Sequence, residues 1–92
     1  MKYQVINNEA RNRFEVELNG EYAFIDYKMQ AEDVIALNHT EVPESMEGQG
    51  IASVLAEHVF EYIKVNHMKV KPYCSFIKVY LQRHPEYNEL LA

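Results

Sequence analysis

An α+β fold, with a mostly antiparallel sheet of about five strands, a strand-helix-strand crossover and a C-terminal helix, is what this sequence predicts. Three observations lead there. Stretches with strand periodicity fill the first half, an amphipathic stripe of helical spacing begins at Gly50, and the brief run Lys69–Pro72 separates it from a second stripe.

Taken in order, Tyr3-Gln-Val-Ile offers a short first strand, and Arg13–Leu18 alternates polar with apolar residues, turning Phe14, Val16 and Leu18 inward. Asn19-Gly20 supplies the left-handed conformations of a tight hairpin, with Glu21–Tyr27 as the returning strand. Tyr22 and Phe24 alternate there with Ala23, Ile25 and Tyr27, so this strand is expected inside the sheet with cover on both faces. Val34–Val42 reads as a further strand, and Pro43 discourages its extension.

The helix expected from Gly50 to about Asn66 carries Ile51, Val54, Leu55, Val59, Tyr62 and Ile63 on one face, leaving Glu57, Glu61 and Lys64 in water. Lys69–Pro72 then suits a final strand parallel to 34–42. A second helix is expected over Ser75–Arg83, with Ser75 as candidate cap and Phe76, Val79, Tyr80 and Leu81 as its apolar face; His84-Pro85 ends it. No linker, repeat or low-complexity segment divides the 92 residues, so 1–92 reads as one domain.

A hydrophobic content of 48% with only 3 Gly and 3 Pro argues against disorder. No apolar run approaches the roughly 20 residues that cross a membrane. Met1–Asn8 lacks the pattern of a secretory signal, and the lone Cys74 excludes an internal disulfide and a cysteine-based zinc cluster, so a cytoplasmic protein is expected. His58 and Glu61 stand one helical turn apart without the second histidine of an H-E-x-x-H arrangement, and no metal site is expected. A net charge of -5 disfavours nucleic acid and suits an amine.

Chemistry concentrates around Glu41–Leu55, where strand-like sequence gives way to two spaced glycines and a helix. Gly48 and Gly50 can adopt backbone angles closed to other residues, and the amides opening the helix present free hydrogens to a phosphate-bearing ligand. The Glu47 carboxylate is a competitor for that positive helix end. The plainer reading is that Gly48 ends a loop and Gly50 lets the helix pack closely. Cys74, just before the second helix, would gain thiolate character from a helix start, although lone cysteines commonly serve as small core residues. His39, near the end of its strand, is placed to touch a ligand, hold a loop or assist proton transfer. Tyr22, Tyr27 and Tyr62 fit the core or its rim, whereas the Tyr80 hydroxyl is a candidate donor to a departing sulfur.

His39-Thr-Glu-Val-Pro43, Glu47-Gly-Gln-Gly-Ile-Ala52 and Pro72-Tyr-Cys-Ser-Phe76 followed by His84-Pro-Glu-Tyr87, in this order, resemble the compact single-domain branch of the GCN5-related N-acetyltransferase superfamily. The resemblance implies an acyl-CoA N-acyltransferase fold that uses acetyl-CoA as cosubstrate and an unidentified small or protein amine as acceptor. It implies that the amides of Glu47, Gly48, Gln49, Gly50, Ile51 and Ala52 cradle the CoA pyrophosphate. Ser45 departs from the superfamily pattern, which has Arg or Gln there. Tyr80 resembles the tyrosine that protonates the CoA thiolate, and Cys74 matches a cysteine of the compact branch regarded as reactive. Direct attack by the amine and an acetyl-cysteine route therefore compete. Helices that fuller members place between their first two strands have no counterpart here, which implies an open acceptor site; the alternative function is a non-catalytic CoA-binding or protein-interaction module.

Overall fold

A computed structural model describes residues 3–92. The sheet grows from one hairpin, β2 (Arg13–Leu18) and β3 (Glu21–Ala31), whose corner residues Asn19 and Gly20 hold positive φ values of 55° and 82°. Both angles match the right-handed twist of the strands they join. β1 (Ile6–Asn8) pairs with β2 and β4 (Val34–Glu41) with β3, all antiparallel; β5 (Lys69–Pro72) lies parallel to β4, giving the order β1-β2-β3-β4-β5.

Three strand boundaries differ from the sequence reading. The first strand is Ile6–Asn8, not Tyr3–Ile6, because the turn after it sets the register: the Arg11 amide donates to both the carbonyl and the side-chain oxygen of Asn8, placing Asn8 opposite Arg13. β3 continues past Tyr27 because β4 offers Ile35 and Val34 as partners for Met29 and Ala31. β4 stops at Glu41, one residue before the expected Val42.

α1 (Ile51–Val65) crosses between β4 and β5, burying Ile51, Leu55, Ala56, Val59, Phe60 and Ile63, with Val54 and Tyr62 at the rim of that stripe. α2 (Ser75–Arg83) buries Ile77, Tyr80 and Leu81, with the expected Phe76 half-buried against the core; Val79, also expected on that face, is 44% exposed. Cys74, not Ser75, occupies the cap position. A 3₁₀ segment, Pro85–Leu90, adds Tyr87 and Leu90 to the core, and the Ala92 amide donates to the Val70 carbonyl at 3.0 Å.

Both helices cover the same face of the sheet. They meet where the Phe60 and Tyr80 rings stack at 5.7 Å, above a floor of Phe14, Val16, Ala23, Ile25, Ile35, Leu37 and Val70. The expected cover on both faces of β3 is thus corrected: Tyr22 is 39% exposed and Phe24 half-buried on a face without helices. Arg13 screens that face, its guanidinium 4.4 Å from the Phe24 ring centre and its Nε 2.7 Å from the Glu15 carboxylate. No described helix is long and apolar enough to cross a membrane.

Candidate functional site

The site begins where two parallel strands part. β4 and β5 stay in register from Val34–Lys69 to Leu37–Pro72, after which β4 continues to Glu41 while the other chain turns away. The Leu37 carbonyl marks the parting, accepting from the amides of both Tyr73 and Cys74 at 3.0 Å. Among the described residues, 38–41 consequently have no strand partner on the β5 side, and a strand edge of this kind offers main-chain groups to a ligand.

A bulge at the same place determines which side chains face the gap. Tyr27 opposes Leu37 but Asp26 opposes His39, leaving Asn38 as the extra residue in β4. Past the bulge, Thr40 opposes Ile25 on the core face, and His39 opposes Asp26 on the bare face. Thr40 Oγ1 lies 3.2 Å from the Sγ of Cys74, which is buried at the N-cap of α2. His39 Nε2 is 3.0 Å from Glu41 Oε1, and both side chains are more than half exposed. Cys74 and His39 thus lie on opposite sides of β4 rather than forming a pair.

Beyond β4 the chain makes a 3₁₀ turn, Glu44–Met46, that Met46 pins to the core at 2% exposure. Gly48 and Gly50 follow at φ 80° and 75°, left-handed values that strain any residue with a Cβ. A Cβ at either would meet nothing within 4 Å, so the requirement for glycine is conformational and the space above the turn is open. Gly50 is the N-cap of α1, the first helical bond runs from Val54 to its carbonyl, and the first turn carries no acidic residue. The amides of Ile51, Ala52 and Ser53 therefore lack intrahelical acceptors. They border a cleft of about 250 Å³ lined also by Val42, Met46 and Gly48. Of the six amides expected in the cradle, that of Glu47 is engaged, donating to Glu44 at 3.2 Å.

Three side-chain hydrogen bonds tie this turn down. Ser45 donates its hydroxyl to the Glu21 carboxylate at the start of β3, and Gln49 accepts from the Tyr3 hydroxyl at 2.9 Å while its amide reaches the Ser45 carbonyl at 3.4 Å. Sequence reasoning missed Thr40, Glu21 and Tyr3, because each acts through a contact distant in the chain. Ser45 was visible only as a departure from a pattern.

Tyr80 sits deeper, on the face of α2 turned toward α1. Its ring lies between Phe60 and His84, 4.2 Å from the latter, and roughly 9 Å along the helix axis from Cys74. Burial pushes its phenol above the ordinary tyrosine range, and the carboxylates of Glu57, Glu86 and Glu61 add to the effect. The hydroxyl is therefore protonated at neutral pH, the form that can donate. Among the described residues no three His, Cys, Asp or Glu side chains gather closely enough to hold a metal ion.

The family profile described as GCN5-related N-acetyl-transferase matches residues 13–90. Protein NATD1 of Gallus gallus is 32% identical over 84 residues, covering 89% of this chain and 76% of that protein. Protein NATD1 of Danio rerio is 29% identical over 92 residues, covering 96% and 84%. The solution structure of a GCN5-like protein from Staphylococcus aureus superposes with a TM-score of 0.75 at 27% identity, covering 98% of this chain and 88% of that one.

Proposed function

Since the chain belongs to the GCN5-related N-acetyltransferase family, we propose that it binds acetyl-CoA and transfers the acetyl group to a primary amine. The observation that carries this reading is the turn at Gly48 and Gly50, whose left-handed angles open directly onto the uncapped start of α1. Amides with no acceptor and a positive helix end are what a pyrophosphate requires. The parting of β4 from β5 exposes the edge of residues 38–41 on the strand that leads to Val42 in the cleft lining, which supports a pantetheine arm and thioester lying toward Cys74.

In this mechanism the neutral amine attacks the thioester carbonyl, main-chain donors at the β4 edge steady the developing oxyanion, the C–S bond breaks as the protonated Tyr80 hydroxyl gives its proton to the leaving CoA sulfur, and the proton shed by the acylated nitrogen passes through water to restore the phenol. Direct transfer is favoured over an acetyl-cysteine because the neighbour of Cys74 is a hydroxyl, that of Thr40, and His39 lies across the sheet. Beyond its place at the start of α2, Cys74 has no base or cationic partner among the described side-chain contacts to assist it as a nucleophile. The free thiol suits a reducing, cytoplasmic setting.

Release of CoA from acetyl-CoA, followed across a panel of amines and peptides alongside calorimetric binding, tests the reading. Saturable binding with amine-dependent release is expected. Absence of binding at millimolar acetyl-CoA would remove the cosubstrate, and binding without release across the panel would leave a CoA-binding module.

A further inference from the structure

A feature unused by this chemistry is a cavity of about 400 Å³ at the far end of the domain, lined by Glu9, Tyr27, Glu32, Ile35, Tyr62 and Met68, with Asn12, Met29 and Asn66 completing it. It cannot serve the donor turn. Ile35 stands near the start of β4, and Tyr62 and Asn66 lie at the close of α1, whose fifteen residues from Ile51 to Val65 extend roughly 22 Å from Gly50.

Its lining has a definite chemical character. Tyr27, Ile35 and Met68 are buried and form an apolar floor, with the half-buried Tyr62 ring beside them. Glu9 and Glu32 are exposed carboxylates on the lining, and no Lys or Arg is among the lining residues. Glu9 acts on the floor itself: after burial, its charge is the next largest influence raising the phenol of Tyr27. The wall is also held in place. Asn12, at a positive φ of 53°, receives the Tyr27 amide on its carbonyl at 2.9 Å, and the Tyr27 hydroxyl donates to Asn7 at 2.8 Å. An apolar, aromatic floor under two carboxylates favours an organic cation that carries an apolar body.

We infer that this cavity is a second ligand site, separate from the donor turn, for a small ammonium compound with an aryl or alkyl stem seated on Tyr27, Tyr62 and Met68 and its charge between Glu9 and Glu32. The apolar stem displaces water from the floor, and the ammonium group gains two carboxylates without a competing protein cation.

Phenethylammonium is a suitable probe, with 2-phenylethanol as its uncharged counterpart, both titrated into the ¹⁵N-labelled full chain without CoA. Saturable amide shifts at Glu9, Glu32 and Asn66 are expected, with 2-phenylethanol weaker and Glu9→Gln/Glu32→Gln weakening the cation by about tenfold. Both carboxylates are exposed, so the variant should fold, and its spectrum verifies this directly. Shifts confined to Gly48–Ser53 or to His39 would overturn the second site, as would equal binding of the alcohol, undiminished binding by the variant, or no saturable shift at millimolar probe. Because no CoA takes part, failure here leaves the acetyl-transfer reading untouched.

Discussion

Thr40 and Cys74 stand 34 residues apart in the chain, yet the hydroxyl of one and the sulfur of the other are 3.2 Å apart where β4 and β5 separate. A strand bulge, a shared carbonyl and a helix cap all converge on that contact. If transfer is direct, Cys74→Ser keeps CoA release within about threefold of the parent, since serine preserves a polar partner for Thr40. An obligatory acetyl-cysteine would instead cost orders of magnitude, and intact mass after incubation with acetyl-CoA would show an adduct lost in the variant.

Substitution in the glycine turn separates strain from binding. Gly50→Ala forces a Cβ into a left-handed conformation at a cost of about 1–2 kcal/mol, read as a lower midpoint in denaturant. Gly48→Val adds bulk over the cleft and should weaken acetyl-CoA by tenfold or more in calorimetry while the circular dichroism spectrum stays that of the parent. Undiminished affinity in a folded Gly48→Val protein would move the pyrophosphate elsewhere.

Ser45→Ala removes the hydrogen bond to Glu21 without disturbing any buried side chain. The loss in global stability should be about 1 kcal/mol or less. Amide exchange across residues 44–50 should accelerate, and acetyl-CoA should bind several-fold more weakly because the turn is no longer held in its receptive shape.

Tyr80→Phe retains the ring stacked on Phe60 and His84 and deletes only the hydroxyl. Turnover should fall about 100-fold, as loss of a general acid does, with KM for acetyl-CoA changed far less. A parental rate in the variant would dismiss Tyr80 as the donor to sulfur.

Alkaline stability follows from the same group of phenols. Tyr27, Tyr80 and Tyr87 all have their pKa values raised in the folded chain, chiefly by burial, and the Tyr87 hydroxyl also donates to Glu61 at 2.9 Å. A raised pKa means that the unfolded chain releases these protons first. Their contribution is complete below the ordinary tyrosine value of about 10 and fades as pH climbs through the higher folded values. Denaturant midpoints should therefore be flat near neutrality and fall above about pH 10, less steeply in Tyr87→Phe.

Much of this architecture was legible in the chain because it rests on local signals. Arg13–Leu18, the Asn19-Gly20 corner, Lys69–Pro72 and Ser75–Arg83 needed only periodicity and turn chemistry, and the structure has all four segments at those bounds. The bare face of β3 was misread because Tyr22 and Phe24 are apolar, and no local pattern reveals that Arg13 covers them instead of a helix. Likewise, Gly48 and Gly50 marked the left-handed turn before α1, but the side chains that fasten it meet only through tertiary contact. The bulge at Asn38 was hidden for the same reason: it exists only in the register between two strands, and it is what sends His39 and Thr40 to opposite sides.

The uncovered side of the sheet has an evolutionary consequence. Tyr22, Glu17, His39 and Glu41 contribute no buried volume to the core, so most replacements there should alter stability by only about 0.5 kcal/mol. The turn before α1 allows no such freedom, since its two glycines are fixed by backbone angle. One domain therefore joins a constrained turn to a freely mutable sheet face, and descendants of this chain can change the residues of that face without relearning how to fold.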